Sequence, residues 1–308
     1  MSALGRYEVL QQLGSGSMGI VYRGRDKGLG REVALKVMRT ESQIFPEISE
    51  RFSREASVCA RLNHRNIVTI YDFGEAESSS YIVMELLQGV DWKTAVREKS
   101  PLPLTLKVDL MAQVCEGLAH AHQLGIVHRD VKPSNLFVHL RTQAKILDFG
   151  LVRLSTSVLT RTGKILGTPN YMAPEQITGK QCDARSDLFS AAVVFFEFLT
   201  GCHPFQAPFI PKRIATGVPD SICEIDQRLP IALQDALSRA LSKDPAQRFQ
   251  TGVEFASALR SALAGVDFEP VYGTAAQDSP NDSDSTATFI ASPYDQNAAE
   301  LGTKPDPK

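Results

Sequence analysis

The chain has 308 residues, of which 43% are apolar and 22% are charged. These values are ordinary for globular proteins, so the chain can bury a sizeable core without disulfide bonds or structural metal ions. They also exclude a chain that is disordered throughout. The formal net charge of −2 excludes a global basic field for holding nucleic acid or an anionic membrane. Any anion must therefore be bound by a local site.

The five cysteines are dispersed and lack the paired spacing of disulfide frameworks or zinc sites. This pattern predicts reduced thiols in a cytosolic protein. The amino terminus has no basic stretch followed by an apolar one, and the most apolar window, 188–199, is short and contains Glu197. We therefore expect a cytoplasmic chain with no secretion signal and no membrane span.

The first 85 residues are predicted to form mostly strands, joined by turns rich in Gly, Asn and Ser. The predicted strands are Tyr7 to Leu13, Ile20 to Gly24, Glu32 to Met38, Ile67 to Phe73 and Ser80 to Glu85. One helix, over residues 47–62, interrupts them because its apolar residues recur at helical spacing. Glu55 lies on that apolar stripe, so its carboxylate requires a partner.

From Leu104 onward the apolar residues follow the helical period, and the first long helix is predicted to end near Gly125. Segments around 188–199, 233–241 and 253–263 repeat the pattern. A strand-rich unit and a helix-rich unit would thus be joined near residues 86–92. The cleft between them is the natural place for a ligand.

Composition changes sharply after Ala264. Residues 265–308 contain eight Asp or Glu against two Lys, with eight Ser or Thr and five Pro, which is typical of a disordered segment. The charge of −6 on this tail leaves about +4 on residues 1–264. Two interpretations stay open: a solubilising terminus, or a regulatory tail phosphorylated at Thr286 or Thr288.

Three glycines, Gly14, Gly16 and Gly19, form the pattern G-x-G-x-x-G between two predicted strands, with Val21 two residues later. Glycine allows a backbone to approach a phosphate closely, although a structural hairpin has the same pattern. A dinucleotide-binding fold is disfavoured because a strand, and not a helix, follows the glycines.

Lys36 stands inside a predicted strand, on the same face as Ala34. A buried ammonium without a counter-charge is costly or loses its proton. Glu55, a carboxylate on an apolar helix face, carries the opposite charge and also needs a partner. The sequence therefore predicts an ion pair between Lys36 and Glu55. A surface lysine and an edge glutamate are the alternative.

The segment 128–135 reads H-R-D-V-K-P-S-N and is predicted to be a loop. It offers Asp130 to receive a proton, Lys132 to neutralise a phosphoryl group and Asn135 to hold a metal. Asp148 adds a second acid, at the end of the next strand. Oxygen ligands of this kind favour magnesium, and no His or Cys cluster accompanies them to bind zinc.

Six motifs occur in a fixed order: the glycine loop, V-A-L-K, the helix Glu, H-R-D-x-K-P-x-N, D-F-G and A-P-E at 173–175. In the order and spacing of these motifs, the chain resembles the eukaryotic-type (Hanks-type) serine/threonine protein kinases over about residues 7–263. Its loops are similar to those of the bacterial members of the family. The resemblance implies an α+β, two-lobed kinase fold. The N-lobe, about 7–86, would contain an antiparallel five-stranded sheet plus one helix, and the C-lobe, about 87–264, would be mainly helical.

The resemblance also implies ATP and Mg²⁺ as cofactors. The glycine loop and Val21 would cover the nucleotide, and Lys36, held by Glu55, would contact the α and β phosphates. The residues implied for the adenine pocket are Ala34, the gatekeeper Met84, Glu85 and Leu87 through their backbone groups, and Phe137.

For catalysis, the resemblance implies that Asp130 orients the substrate hydroxyl and accepts its proton, beside Lys132. Asn135 and Asp148 would hold two Mg²⁺ ions. A lysine two positions after Asp130 resembles the Ser/Thr branch of the family, so the implied partners are proteins with Ser or Thr hydroxyls.

Regulation is implied by the threonines between the D-F-G and A-P-E motifs. Phosphorylation of Thr160 or Thr162 by another copy of the chain, through a transient homodimer, would order this loop by pairing with Arg129. Solvated loop hydroxyls are the alternative. Two other charged residues would be architectural: Glu175 pairing with Arg248, and Asp187 bracing the backbone near His128.

Two other functional classes are weaker. A catalytically idle, nucleotide-binding pseudokinase scaffold is disfavoured because Lys36, Asp130, Asn135 and Asp148 are all present. A small-molecule phosphotransferase of related fold is disfavoured by the A-P-E segment and the long threonine-bearing loop.

Overall fold

The computed structural model describes residues 3–15, 19–38, 61–76, 79–98, 102–149, 169–206 and 208–264. Several predictions lie outside these ranges: the Lys36–Glu55 pair, most of the helix over 47–62, Gly16, both activation-loop threonines Thr160 and Thr162, and the tail 265–308. Within the described ranges, no helix combines the length and apolar character needed to cross a membrane.

The amino-terminal unit is an antiparallel sheet. Its strands are β1 (Ala3–Leu4), β2 (Tyr7–Ser15), β3 (Gly19–Asp26), β4 (Arg31–Met38), β5 (Ile70–Ala76) and β6 (Ser79–Met84). They are ordered β1-β2-β3-β4-β6-β5. The sheet has one strand more than the five predicted, because the two residues of β1 pair with the start of β2.

The fourth predicted strand begins three residues later than expected. Ile67 forms an isolated bridge with Ile146, and the N–H of Val68 donates to the carbonyl oxygen of Ile146 (2.9 Å). Asn66 and Val68, just before β5, are therefore hydrogen-bonded to Ile146 of the carboxy-terminal unit, whereas Thr69 is bonded to Glu85, directly after β6. The contact with Ile146 joins the two units of the fold.

The sheet curls until its two ends approach each other. Tyr7 on β2 donates its hydroxyl to the Asp72 carboxylate on the edge strand β5 (2.6 Å). The curl encloses a small apolar core, whose members are Leu4, Tyr7, Val33, Leu35, Val37, Tyr81 and Val83. Strand β4 is central and buried on both faces, so Lys36 is only 7% exposed.

A second sheet carries the loops of interest. Its strands are β7 (Gly89–Asp91), β8 (Leu136–His139) and β9 (Gln143–Ile146), paired antiparallel in that order. Gly89 enters it at a φ of 143°, where a Cβ would lie 1.9 Å from the Val138 carbonyl oxygen, so the position requires glycine. The β8–β9 hairpin places Asn135 before β8 and Asp148 shortly after β9.

The remaining elements are helices. They are α1 (Trp92–Arg97), α2 (Leu104–Gln123), α3 (Pro174–Ile177), α4 (Ala184–Thr200), α5 (Ile210–Thr216), α6 (Ile222–Ile225), α7 (Ile231–Ala240) and α8 (Gly252–Ser261). Helix α2 agrees closely with the predicted helix from Leu104 to Gly125.

Helix α4 is the centre of the carboxy-terminal core. Asp183 caps its first turn by accepting from the N–H of Arg185, and Gly201 ends it at a φ of 73°. Nearly every side chain from Leu188 to Phe196 is buried, as its continuous apolar sequence predicts. Each Leu, Val and Phe side chain among them contributes about 1.5–3 kcal/mol through burial, so α4 is a rigid base for the loops packed on it.

Candidate active site

Lys36 meets a carboxylate from the other unit. Its Nζ donates to Oδ2 of Asp148 at 2.6 Å, and the two side chains are 9% and 26% exposed. The structure thus supplies a counter-charge for the buried lysine. The predicted partner Glu55 lies outside the described residues, so the Lys36–Glu55 pair stays a prediction.

Asp148 has a strained backbone and a stabilised charge. Its φ of 55° is a left-handed conformation that costs a non-glycine residue about 1–2 kcal/mol. Burial acts to raise the pKa of this carboxyl, but the charge and hydrogen bond of Lys36 outweigh burial and lower the pKa below its usual range. The carboxylate is therefore ionised at neutral pH.

The loop 128–135 brings three predicted residues together. Lys132 Nζ lies 2.6 Å from Oδ2 of Asp130, and Asn135 Nδ2 donates both to that oxygen (3.0 Å) and to the Asp130 carbonyl (2.8 Å). The turn Pro133–Asn135 is a short 3-10 helix, and the N–H of Leu147 donates to the Asn135 carbonyl at 2.8 Å. This last bond joins the loop to the segment that ends in Asp148.

A buried carboxylate braces the start of the loop. Asp187, in the first turn of α4, accepts from the backbone N–H groups of His128 and Arg129, each at 2.7 Å. Its Oδ2 also lies 2.8 Å from Nε2 of His122. The structure therefore has the bracing contact that the resemblance implied, and adds His122 as a further partner.

A second buried pair anchors helix α3. Arg248 is fully buried, and its guanidinium makes a two-pronged contact with the Glu175 carboxylate at 2.8 and 2.9 Å. Its other three N–H groups donate to the carbonyls of Arg185, Ser242 and Lys243, so all five donors are used. Burial opposes ionisation of Glu175, yet the bonds from Arg248 and Ser186 lower its pKa.

The residues predicted for an adenine pocket lie together. Phe137, Leu87 and Val68 form one buried cluster, against which Met84 packs. Ala34 is the register partner of Met84 across β4 and β6. Among the described residues, no group hydrogen-bonds to the backbone N–H or C=O of the buried Leu87.

Glu85 has a side-chain role that the sequence reasoning missed. Its carboxylate pairs with Lys145 Nζ at 2.6 Å and accepts from the N–H of Thr69 at 2.8 Å. Lys145 is 7% exposed in this pair. The available signal was the one used for Lys36: a lysine on a short, buried strand needs an anion.

The glycine loop is described only in part. Gly14 pairs with Val21, and Gly19 pairs with Met38 on β4. A Cβ on Gly19 would lie 2.1 Å from the Val37 carbonyl oxygen, so glycine is needed there for strand packing. The predicted contact of this loop with phosphate stays a prediction.

With this geometry in view, comparison with known proteins decides the family. Residues 7–260 match the family model described as the protein kinase domain. The chain belongs to this family. Membership implies the use of ATP and a divalent metal in general.

The kinase domain is similar to curated bacterial proteins. It is 39% identical over 270 residues to the serine/threonine-protein kinase PknB of Mycobacterium leprae, covering 84% of this chain and 43% of that protein. It is 36% identical over 263 residues to PrkC of Bacillus subtilis, covering 84% of this chain and 41% of that protein. The chain thus spans about two fifths of the length of these relatives.

The fold also matches solved structures. The crystal structure of the Mycobacterium tuberculosis PknI kinase domain superposes with a TM-score of 0.70 at 31% identity, covering 86% of this chain and 99% of that one. The predicted fold class, a kinase fold with an antiparallel sheet in the N-lobe and a helical C-lobe, is confirmed.

Proposed function

We propose that this chain is a serine/threonine protein kinase that transfers the γ-phosphoryl group of ATP to Ser or Thr hydroxyls of proteins. One observation carries the proposal. Lys132 and Asn135 both contact the same oxygen of Asp130, while Lys36 holds Asp148 at 2.6 Å. An acid, two cations, an amide and a second acid are thus gathered where the two units meet.

The donor set fits magnesium. Asn135 uses its amide nitrogen on Asp130, so its oxygen is the atom left to face a cation, and the ionised Asp148 supplies a carboxylate. Such hard oxygen ligands, few in number, are what Mg²⁺ takes from a protein that also binds phosphates. When bound there, magnesium supplies charge neutralisation at the phosphate oxygens.

The nucleotide would lie between the sheet and the second unit. Ala34, Met84, Leu87 and Phe137 would enclose the adenine. The backbone groups of Leu87, which have no hydrogen-bond partner among the described residues, suit its polar edge. Lys36 would contact the α and β phosphates, under the loop formed by Gly14, Gly16, Gly19 and Val21. The backbone of Glu85 would contribute beside Leu87.

Asp130 would act on the substrate hydroxyl. Lys132 and Asn135 hold its Oδ2 in one orientation, so the carboxylate can align the hydroxyl and accept its proton. Lys132, 30% exposed, can at the same time place its charge beside the transferred phosphoryl group. A loose transition state requires alignment and charge neutralisation, which explains a site without a nucleophilic side chain.

Activation would proceed through Thr160 or Thr162, phosphorylated by a second copy of the chain. The support comes from Arg129, whose Nε is buried and has no hydrogen-bond partner among the described residues. A buried donor left unpaired is costly, and a phosphate oxygen would satisfy it with a charge-assisted bond. Both threonines lie outside the described residues.

The proposed location is the cytoplasm. The four cysteines in the described ranges, Cys115, Cys182, Cys202 and Cys223, are all free, which suits a reducing compartment.

The proposal is tested with radiolabelled ATP, Mg²⁺ and a generic basic protein as acceptor. The expected result is label on Ser or Thr, and a loss of several orders of magnitude in rate in Asp130→Asn with ATP binding retained. Asp226→Asn, at an acid that pairs with the exposed Arg228, is the matched control. Nucleotide binding without transfer by the wild type would instead support the pseudokinase alternative, and full activity in Asp130→Asn would refute the assigned role of Asp130.

A further inference from the structure

The side chain of Gln176 hydrogen-bonds to two separate segments, the one just before Asp130 and the one just before helix α3. Its Nε2 donates to the carbonyl oxygen of Arg129 at 2.9 Å, and its Oε1 accepts from the N–H of Ala173 at 2.8 Å. The first contact reaches the peptide unit that leads into Asp130. The second holds the stretch just before helix α3.

The peptide that Gln176 contacts is strained. Arg129 has a φ of 66°, a left-handed value that a residue with a Cβ rarely adopts. Such a conformation persists only where surrounding contacts determine it from several sides. The N–H of Arg129 is held by Asp187 at 2.7 Å, but its carbonyl oxygen has Gln176 as its hydrogen-bond donor.

The same peptide unit is held at its other end. The N–H of Asp130 donates to Nδ1 of His128 at 3.2 Å, and Nε2 of that ring lies 2.9 Å from the Leu147 carbonyl. Rotation of the Arg129–Asp130 peptide would break both the His128 and the Gln176 bond. The two bonds therefore restrain the backbone from which the Asp130 side chain projects.

Gln176 is itself held by a rigid support. Its neighbour Glu175 is locked by the fully buried Arg248, and Ala173 is fully buried. The amide is therefore presented from a fixed helix turn, so its position can constrain the loop that it touches.

A glutamine at the position of Gln176 could also serve a purely local purpose at the start of helix α3. Gln and Glu at the third position of a helix both accept from the backbone N–H that precedes the helix, and the bond from Ala173 is of this kind. A glutamate would serve that purpose equally. Only glutamine carries the N–H groups that donate to the Arg129 carbonyl.

We propose that Gln176 is a positioning residue for phosphoryl transfer, whose side-chain amide holds the Arg129–Asp130 peptide and so orients Asp130. It makes the geometry of the catalytic loop depend on the segment that leads into helix α3. The proposal rests on the proposed function, since it assigns Gln176 a part in that same site.

The test compares Gln176→Glu with Gln234→Glu in the full chain. Gln234 is a matched control, because its Oε1 also accepts from a helix-start N–H, that of Ile222 at 2.6 Å, while its Nε2 donates elsewhere, to Ser238. Each substitution keeps the accepting oxygen and removes the donor. Measurements are kcat and KM for ATP, thermal unfolding, and hydrogen exchange of the peptide containing Asp130.

For Gln176→Glu, we expect kcat to fall about ten- to a hundredfold with KM for ATP changed less than about twofold. Exchange at the Asp130 amide should become faster, while Tm stays close to that of Gln234→Glu. The inference would be overturned if Gln176→Glu had the kcat and the Asp130 exchange rate of the wild type. It would also be overturned if Gln176→Glu and Gln234→Glu lost the same share of kcat. Hydrogen exchange can be measured whether or not the protein is active. If the wild type is inactive, the proposed function is refuted, and the exchange rate of the Asp130 amide still tests the positioning role of Gln176.

Discussion

The Nζ of Lys36, on the central strand of the six-stranded sheet, lies 2.6 Å from the Asp148 carboxylate, which follows the last strand of the three-stranded sheet. This contact crosses between the two units. It neutralises a buried ammonium and holds the carboxylate proposed to bind magnesium.

Lys36→Met should abolish phosphoryl transfer and weaken ATP binding. The variant removes the cation proposed to contact the phosphates and leaves Asp148 without its nearest counter-charge. ATP binding by titration calorimetry and labelled transfer measure the two effects. Lys27→Met, at an exposed lysine, is the control and should behave as the wild type. Unchanged ATP affinity in Lys36→Met would contradict the assignment.

The Asp148 carboxylate should make stability depend on pH. Its pKa in the folded chain is depressed below the ordinary value of 3.8, so its contribution is complete above that value and is lost as the pH falls through the folded pKa. Urea unfolding of the wild type and of Asp148→Asn at pH 7, 5, 4 and 3 should give a stability difference that shrinks toward acid. A difference independent of pH would contradict the prediction.

Arg248→Met should lower the free energy of unfolding by about 3–5 kcal/mol, because it leaves the buried Glu175 carboxylate without its cationic partner. Arg248→Lys should recover little, since an ammonium cannot reproduce five fixed donors. The control is Arg228→Met, in an ion pair whose arginine is 86% exposed and which should contribute about 0–1 kcal/mol. Denaturant titration measures all three variants.

Glu85 and Lys145 should show a coupling energy of about 1–3 kcal/mol in a double-mutant cycle. Glu85→Gln and Lys145→Met each leave one partner of a 2.6 Å pair uncompensated, whereas the double variant leaves neither. The cycle is measured by urea unfolding of the four proteins. Additive effects would mean that the pair contributes nothing beyond its separate side chains.

The sequence predicted which candidate residues lie together where their motif is compact along the chain. Asp130, Lys132 and Asn135 lie within six residues, so a short loop brings them together almost regardless of the rest of the fold. The helix α2 and the buried helix α4 were likewise readable, because their apolar periodicity reflects burial directly.

Reasoning from sequence alone could not find the contacts made across long separations. The Glu85–Lys145 pair joins residues 60 positions apart, and the Gln176–Arg129 bond spans 47. The early start predicted for β5 had the same origin: Ile67 has strand-like neighbours, but its backbone pairs with Ile146. In each case local pattern identifies a group that needs a partner without identifying the partner.

The order of residues along this chain determined its family, the types of its helices and strands and the chemical groups of its candidate site, because these depend on side-chain chemistry and short-range periodicity. The tertiary structure decided which charges neutralise each other and which peptides are held in strained conformations. Those outcomes depend on distances between segments that only packing sets, and an ammonium or a carbonyl pairs with whichever group the fold brings within about 3 Å.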